Sequence, residues 1–440
     1  MQRSLLAVIF GTFTLRLSTG LTGALLAYYL EELPRHGGPR VESIVVGFYG
    51  ATFFVAELAL SPFFGPLADR WGYHRVMQFG PIFGGIAVVL TGITTNLWLL
   101  GSTRLLEGAS TAASVPSILG FIAIVTAADE QLRGRAVARF EAATLAGLGV
   151  GLVAAGPLYT IFGPGAFFLN AGLYCGSFLI YRLGVVDPRS EHHLGDAPPS
   201  YGWSRYRQLL GSSHVWLLAP TWIAINAAIG LWTTQSLFQL VRAPDPRFAD
   251  QMLMGGFDRL LVSAGLAVGL LIFFAGLLYW GNRFKSMRRT TIIFYGVAGG
   301  AALVFFAALV NHSGTQPPIV PITLALGAVG GLFVLAGATP AALGLLADIS
   351  ERYPHDRGAI MGLYSVFLAL GQISGSLLGG AAAQVRGIDG LLGGTLVLLA
   401  IALIPLYRLR RYEHEVGAGE TSTLSNGRPP GQADLPGGSA

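Results

Sequence analysis

Uncharged, strongly apolar runs of about twenty residues recur along this chain and constrain its fold more than any other feature. A helix of that length spans the hydrocarbon core of a bilayer, because each residue rises about 1.5 Å. Of the 440 residues, 52% are hydrophobic and 12% are charged, and a soluble domain carries about twice that charged fraction. The sequence therefore predicts an all-α integral membrane protein.

The predicted transmembrane helices number twelve. They cover 5–30, 42–64, 76–95, 97–124, 137–160 and 164–185 in the first half, and 214–240, 259–280, 290–310, 319–346, 358–384 and 390–407 in the second. The predicted domains are an N-terminal six-helix half at 1–186, a cytoplasmic linker at 187–213, a C-terminal six-helix half at 214–411 and a disordered cytoplasmic tail at 412–440. The tail is rich in Gly, Ser and Pro, a composition that disfavours a packed core.

Arginine is distributed unevenly between alternate connections. With both termini on one side, that side carries most of the arginines, including Arg70, Arg133 and Arg408, whereas the other side carries few, such as Arg35. Connections rich in Lys and Arg stay in the cytoplasm. We therefore expect a multi-pass protein of the cell (inner) membrane with both termini in the cytoplasm.

The connection between the second and third spans concentrates charge and glycine. It reads Gly65-Pro66-Leu67-Ala68-Asp69-Arg70-Trp71-Gly72-Tyr73-His74-Arg75. Gly65 and Gly72 are expected to supply the backbone freedom for a tight turn, and Asp69 is expected to face the positive end of a neighbouring helix dipole. The string matches G-x-L-A-D-R-x-G-x-x-R, and the chain thereby resembles the major facilitator superfamily.

This resemblance implies two pseudo-symmetric six-helix halves around a central cavity. A repeat within the chain agrees with it. Ala128-Asp129 and Arg133-Gly134-Arg135-Ala136 precede span five, as Ala347-Asp348 and Arg357-Gly358-Ala359-Ile360 precede span eleven. The resemblance also implies a cytoplasmic gate, in which Asp69 faces the start of span eleven and Arg70 pairs with an acid after span four. The predicted gate residues are Gly65, Asp69, Arg70, Gly72, Arg75, Asp129 and Gly358.

Charged residues inside predicted spans are the main candidates for function, because burying charge in a bilayer is costly. Arg16 and Glu57 lie at comparable depth, roughly 12–17 Å from the inner surface. We hypothesise that Glu57 is a proton-coupling carboxylate whose ionisation depends on desolvation and on Arg16. The alternative is a static ion pair. Glu141 lies near the predicted start of span five, where it could be merely interfacial.

A second charged pair lies in span four. Arg104 and Glu107 are three residues apart and share one helix face with Gly108. The segment resembles the R-x-x-x-G motif of the superfamily, and the resemblance implies a role for Arg104 in proton transfer. The alternative is local neutralisation of one charge by the other.

The second half contains no charged residue in its predicted span cores. Its candidates for substrate contact are polar and aromatic: Trp222, Asn226, Gln235, Tyr364 and Gln372. They are weaker candidates, because such side chains also occur in helix packing.

Glycines in spans five and eleven recur at small-xxx-small spacing, which lets membrane helices approach closely. They are Gly147 and Gly151, and Gly371, Gly375 and Gly379. We hypothesise that the two halves slide along these stripes, and close packing is the alternative. The Gly156-Pro157 pair in span five resembles the signature of the superfamily's antiporters, although a second glycine pair does not follow it.

Several classes of function are disfavoured. The only lysine, Lys285, follows a phenylalanine, so no P-loop for ATP is present. Cys175 is the only cysteine, so it can form no intrachain disulfide. We expect no enzyme activity, no cofactor, no metal and no nucleic-acid partner. The predicted function is proton-coupled efflux of amphipathic compounds by a monomer. The alternatives are an uptake permease for a sugar or other metabolite, a non-transporting receptor or scaffold, and an intramembrane enzyme.

Overall fold

A computed structural model describes residues 2–126, 129–186, 215–283, 286–351 and 357–425, and within these ranges all regular structure is helical. The first half contains α1 (Gln2–Glu32), α2 (Ser43–Trp71), α3 (Tyr73–Val76), α4 (Phe79–Ile93), α5 (Leu97–Val125), α6 (Glu130–Phe162) and α7 (Ala166–Gly184). The second half contains α8 (Val215–Val241), α9 (Arg259–Asn282), α10 (Arg289–Asn311), α11 (Ile319–Leu335), α12 (Ala338–Glu351) and α13 (Arg357–Ser425).

Each predicted span coincides with a helical segment. Span ten is divided into α11 and α12, and spans eleven and twelve form the two arms of α13, separated by non-helical backbone at Arg386 and Gly387. Nine helical stretches of the described residues are long and apolar enough to cross a bilayer. Two of these, Leu132–Gly184 and Ser365–Arg411, contain a glycine at positive φ, Gly163 and Gly387 respectively. A count of twelve crossings stays a prediction.

Two predicted segments connect or follow the helices. The linker at 187–213 lies outside the described residues. In the predicted tail, residues 412–425 continue the second arm of α13 and only 426–440 lie outside the described residues. Extending an existing helix needs no new nucleus, which accounts for helical backbone beyond the apolar stretch.

The turn after α2 is shorter than the sequence predicts. Gly65 lies inside α2 with open space around it, so the expectation that it shapes the turn is wrong. The helix ends at Gly72, which has a φ of 96° and whose N–H donates to the carbonyl of Ala68 at 3.0 Å. A single residue with positive φ is enough to end the helix, so the residues before it stay helical.

The glycine stripes hold helices together within each half. A Cβ at Gly151 would lie 2.1 Å from the carbonyl oxygen of Leu17, where α6 crosses α1. A Cβ at Gly375 would likewise lie 2.1 Å from the carbonyl oxygen of Ala227, where α13 crosses α8. The hypothesis that these stripes slide between halves is therefore wrong. The equivalent helix pairs, α1 with α6 and α8 with α13, are close-packed in the same way, as a repeated unit requires.

Replacing Gly151 with alanine is expected to destabilise the protein by about 1–3 kcal/mol, because the new methyl group overlaps backbone that cannot rotate away. Gly23 on α1 is the matched control, since nothing lies within 4 Å of a Cβ there. Gly23→Ala should leave stability unchanged or raise it by up to about 1 kcal/mol through helix propensity. Thermal unfolding in detergent measures both variants, and an equal response would contradict the packing argument.

The two halves meet at the end of the molecule away from the α2–α3 turn. We call the end with that turn the turn face and the other end the opposite face. A Cβ at Gly47 on α2 would lie 2.4 Å from the carbonyl oxygen of Ser376 on α13. A Cβ at Gly156 on α6 would lie 2.5 Å from that of Arg259 on α9. Near these crossings Leu237 from α8 joins the apolar core of the first half.

Candidate transport site

Arg16 lies at the centre of a charged cluster in the first half. It projects from α1, is only 9% exposed, and its Nη1 donates to Thr111 Oγ1 on α5 at 3.4 Å. The carboxyls of Glu57 on α2 and Glu141 on α6 lie within electrostatic reach of its guanidinium. Among the described residues neither acid forms a direct ion pair with Arg16. One cation is thus shared between two carboxyls, and a static pair of Arg16 with Glu57 is not formed.

Glu141 is the member of this cluster that sequence reasoning missed. The predicted fifth span began at 137, whereas α6 begins at Glu130. Seven further residues of helix correspond to about 10 Å along the axis. Glu141 therefore lies inside the helix and not at its start, where its exposed side chain is within electrostatic reach of Arg16. Its depth in the bilayer stays a prediction.

Close backbone contacts bring the helices of this cluster together. A Cβ at Gly108 on α5 would lie 2.2 Å from the carbonyl oxygen of Phe53 on α2, one turn before Glu57. A Cβ at Gly147 on α6 would lie 2.9 Å from the Cβ of Arg16. Because the two glycines have no side chain, α5 comes close to α2 and α6 comes close to α1, which allows the cluster to form.

Arg104 and Glu107 form a separate ion pair within α5. Glu107 is 2% exposed, and the Arg104 guanidinium lies 5.0 Å from the ring centroid of Phe53. Arg104 Nε and Glu107 Oε1 are buried without a hydrogen-bond partner. The two charges neutralise each other locally, which was the alternative for this pair. A role for Arg104 in proton transfer stays a prediction.

The second-half candidates lie mostly in helix packing. Trp222 is buried in the second-half core, and Asn226 Nδ2 donates to the Trp222 carbonyl at 2.9 Å on the same helix. Gln372 Oε1 accepts from Thr233 Oγ1 at 3.3 Å. The side chain of Tyr364 lies outside what the structure describes. A role for these residues in substrate contact stays a prediction.

Gln235 joins the two halves. It is fully buried, and its Nε2 donates to the backbone carbonyl of Ser43 at 2.8 Å. Gln239 Nε2 donates to Ser43 Oγ at 2.8 Å, and Ser43 N donates to Gln384 Oε1 at 3.0 Å. Three glutamines of the second half therefore hold the first residue of α2.

An ion pair lies beside this group. Arg259, at the start of α9, pairs with Glu32 at the end of α1. Its guanidinium lies 4.9 Å from the ring centroid of Tyr159 on α6 and 5.9 Å from that of Tyr28 on α1. Cations over aromatic faces gain further stabilisation. We call Glu32, Ser43, Gln235, Gln239 and Arg259 the clasp, since they bind the halves at the opposite face.

The predicted gate residues lie at the turn face. Asp69 accepts a hydrogen bond from the hydroxyl of Tyr73. Asp129 caps α6, because its Oδ1 accepts from the backbone N–H of Leu132 at 2.8 Å. Arg70 and Arg75 are exposed, and Gly358 is the second residue of α13. Contacts of Arg70 with Asp129, and of Asp69 with the start of α13, stay predictions.

Comparison with known families decides what this architecture belongs to. The family model described as Major Facilitator Superfamily matches residues 8–316 and 249–430. The chain belongs to this superfamily. It is therefore a multi-pass membrane protein of a transporter family, as the α2–α3 motif predicts.

This facilitator is similar to bacterial drug-resistance proteins. It is 24% identical to multidrug resistance protein 1 of Bacillus subtilis (strain 168), an alignment covering 78% of this chain and 81% of the relative. It is 22% identical to the quinolone resistance protein NorA of Staphylococcus aureus (strain MSSA476), over 55% of this chain and 59% of NorA.

Solved structures share its fold. The nucleoside transporter NupG superposes with a TM-score of 0.69 at 13% identity, covering 92% of this chain and 98% of NupG. A bacterial homologue of the human lysosomal transporter Spinster, in an inward-facing and unoccupied conformation, gives 0.64 at 12% identity, over 92% and 95% of the two chains. At such identities the likeness concerns fold alone.

Proposed function

We propose that this facilitator exports amphipathic compounds in exchange for protons by alternating access. The observation that carries this proposal is the Arg16 cluster, where Glu57 and Glu141 share one guanidinium without a direct ion pair. The relatives named for multidrug and quinolone resistance support export over uptake. The exporter acts as a monomer in the cell membrane, with both termini in the cytoplasm.

The cluster couples protons to substrate through competition for charge. Removal from water favours the neutral carboxylic acid, whereas Arg16 favours the carboxylate. With the turn face open, a carboxyl releases its proton to the cytoplasm and the resulting carboxylate holds a cationic amphipathic substrate. With the opposite face open, a proton from outside neutralises the carboxylate and the substrate leaves.

Access alternates between two sets of contacts. The clasp closes the opposite face in this structure, and the predicted gate at Asp69, Arg70 and Asp129 closes the turn face in the other state. A ligand shifts such an equilibrium only by the difference between its affinities for the two states. Breaking one set of contacts therefore favours the state held by the other.

Transport in proteoliposomes tests this proposal. Purified protein is reconstituted, a proton gradient is imposed, and a fluorescent lipophilic cation is followed across the membrane. We expect the dye to move against the proton flow and the gradient to dissipate faster with dye present. Dye moving with the protons would instead support an uptake permease. No flux for a panel of dyes, sugars and nucleosides would support a receptor or scaffold.

A further inference from the structure

A histidine and two aspartates from three separate segments meet at the opposite face. Asp250 lies in the connection between α8 and α9, His312 follows α10, and Asp389 lies just after the break in α13. One ligand atom from each lies within 4.8 Å of the other two. His312 Nε2 lies 2.9 Å from Asp389 Oδ2, and its Nδ1 lies 3.6 Å from Asp250 Oδ2. The charged cluster around Arg16 and the clasp use none of the three.

Neighbouring amides fix the position of this group. Asn311 Nδ2 donates to Asp389 Oδ1 at 2.9 Å, and Asn311 Oδ1 accepts from the N–H of Leu253 at 3.0 Å. Gln251 Nε2 donates to the carbonyl of Arg386 at 3.0 Å. Groups that orient ligands in this way are typical of metal sites, and losing them usually costs 10–100-fold in affinity. Here they join the α8–α9 connection, the end of α10 and the break in α13.

We propose that Asp250, His312 and Asp389 bind a divalent transition-metal ion of the zinc type. One imidazole nitrogen and two carboxylates form a donor set that Zn²⁺ accepts, with a fourth position left for water. Magnesium prefers an octahedral shell of oxygen ligands and gains little from the imidazole. Asp250 and His312 are 70% and 44% exposed, so a hydrated ion reaches them from solvent.

Binding releases a proton wherever the imidazole is protonated, because the metal takes the lone pair that held the proton. The hydrogen bonds of His312 Nε2 to Asp389 and the proximity of Asp250 to Nδ1 hold the ligands close together before the ion arrives. One carboxylate in the same connection as Asp250 is not part of this group. Asp245 in the same connection accepts hydrogen bonds from the Arg247 side chain and N–H, which lower its pKa to about 2. Because Asp245 is already hydrogen-bonded to Arg247, its replacement serves as the control in the zinc titration.

The test is zinc titration of the untagged full-length protein in detergent, by calorimetry and by thermal unfolding. We expect one saturable site and a rise in unfolding temperature with Zn²⁺ but not with the same concentration of Mg²⁺. His312→Gln keeps an N–H donor for Asp389 but removes the imidazole ligand, and we expect at least about tenfold weaker binding. Asp250→Asn, at an exposed position that tolerates change, should weaken binding similarly, whereas Asp245→Asn should bind like the parent.

Three results would overturn the proposal. The first is no saturable zinc binding, and the second is equal stabilisation by Mg²⁺. The third is binding by His312→Gln and Asp250→Asn as tight as that of the parent, which would place the zinc elsewhere. Unfolding temperatures without metal separate loss of ligand from loss of fold. Because no transport is measured, the outcome is independent of the proposed export.

Discussion

Replacing Glu57 with glutamine is expected to reduce proton-driven flux to the level of protein-free vesicles. Glutamine keeps the size and the hydrogen-bonding capacity of the side chain but cannot bind or release a proton. Glu57 makes no direct ion pair with Arg16 within the described structure, and Glu141 remains near that guanidinium. We therefore expect stability to change by less than about 1 kcal/mol. The loss of flux would then reflect lost coupling, not lost fold.

Substrate counterflow without a proton gradient separates these two effects. The variant should still exchange labelled substrate across the membrane, since counterflow needs only substrate binding and alternating access. Glu42→Gln is the matched control, because Glu42 is an exposed acid next to the start of the same helix. It should transport like the parent. Proton-driven flux retained by Glu57→Gln would remove this acid from the mechanism and leave Glu141 as the candidate.

Replacing Arg259 with alanine is expected to open the opposite face. The change leaves Glu32, 12% exposed, with only the exposed Arg35, whose Nη1 lies 2.8 Å from Glu32 Oε1, as its cation in the closed state. Removing one partner of a fully buried ion pair costs about 3–5 kcal/mol. We expect about 1–2 kcal/mol here, because the pair is partly exposed and Arg35 still contacts Glu32. When the opposite face opens, Glu32 meets water and the penalty disappears. At 1.4 kcal/mol per tenfold, the equilibrium shifts toward the open state by about five- to thirtyfold.

A cysteine at Ser376 reports this shift. Ser376 is fully buried, and its carbonyl contacts α2 at the crossing with Gly47. In a Cys175→Ser background, Ser376→Cys should react slowly with a membrane-impermeant maleimide, and much faster once Arg259→Ala is added. Arg247→Ala is the control, because Arg247 is an exposed arginine of the α8–α9 connection. An unchanged rate with Arg259→Ala would show that Glu32 and Arg259 do not close this face.

The sequence predicts the helices well because apolar length decides which segments cross a bilayer. It also predicts the proximity of Arg16 and Glu57, since depth along two antiparallel helices follows from residue count. Errors in the predicted helix ends lead to errors in the predicted site. The predicted second span stopped at 64 and the fifth began at 137, while the helices reach Trp71 and start at Glu130. The first shift explains why Gly65 was expected in the turn. The second explains why Glu141 was expected near the start of its helix.

The environment of polar side chains could not be predicted in the same way. Asn226 and Gln235 lie four and thirteen residues along α8 from Trp222, and nothing in that spacing tells which side chain faces another helix. The structure uses Gln235 to hold Ser43 across the halves and Asn226 to bond its own helix. The group of Asp250, His312 and Asp389 was missed for a related reason. Its members are more than sixty residues apart, so only the fold brings them together.

The crossings between the halves bear on how fast the transporter can change state. Where Gly47 meets Ser376, backbone lies against backbone with no side chain in between, whereas Gly156 lies against the side chain of Ser263 and the carbonyl of Arg259. Separation at the Gly47 crossing requires no rotamer change of the atoms in direct contact. The activation enthalpy of switching should then come mainly from breaking hydrogen bonds and the Glu32–Arg259 pair.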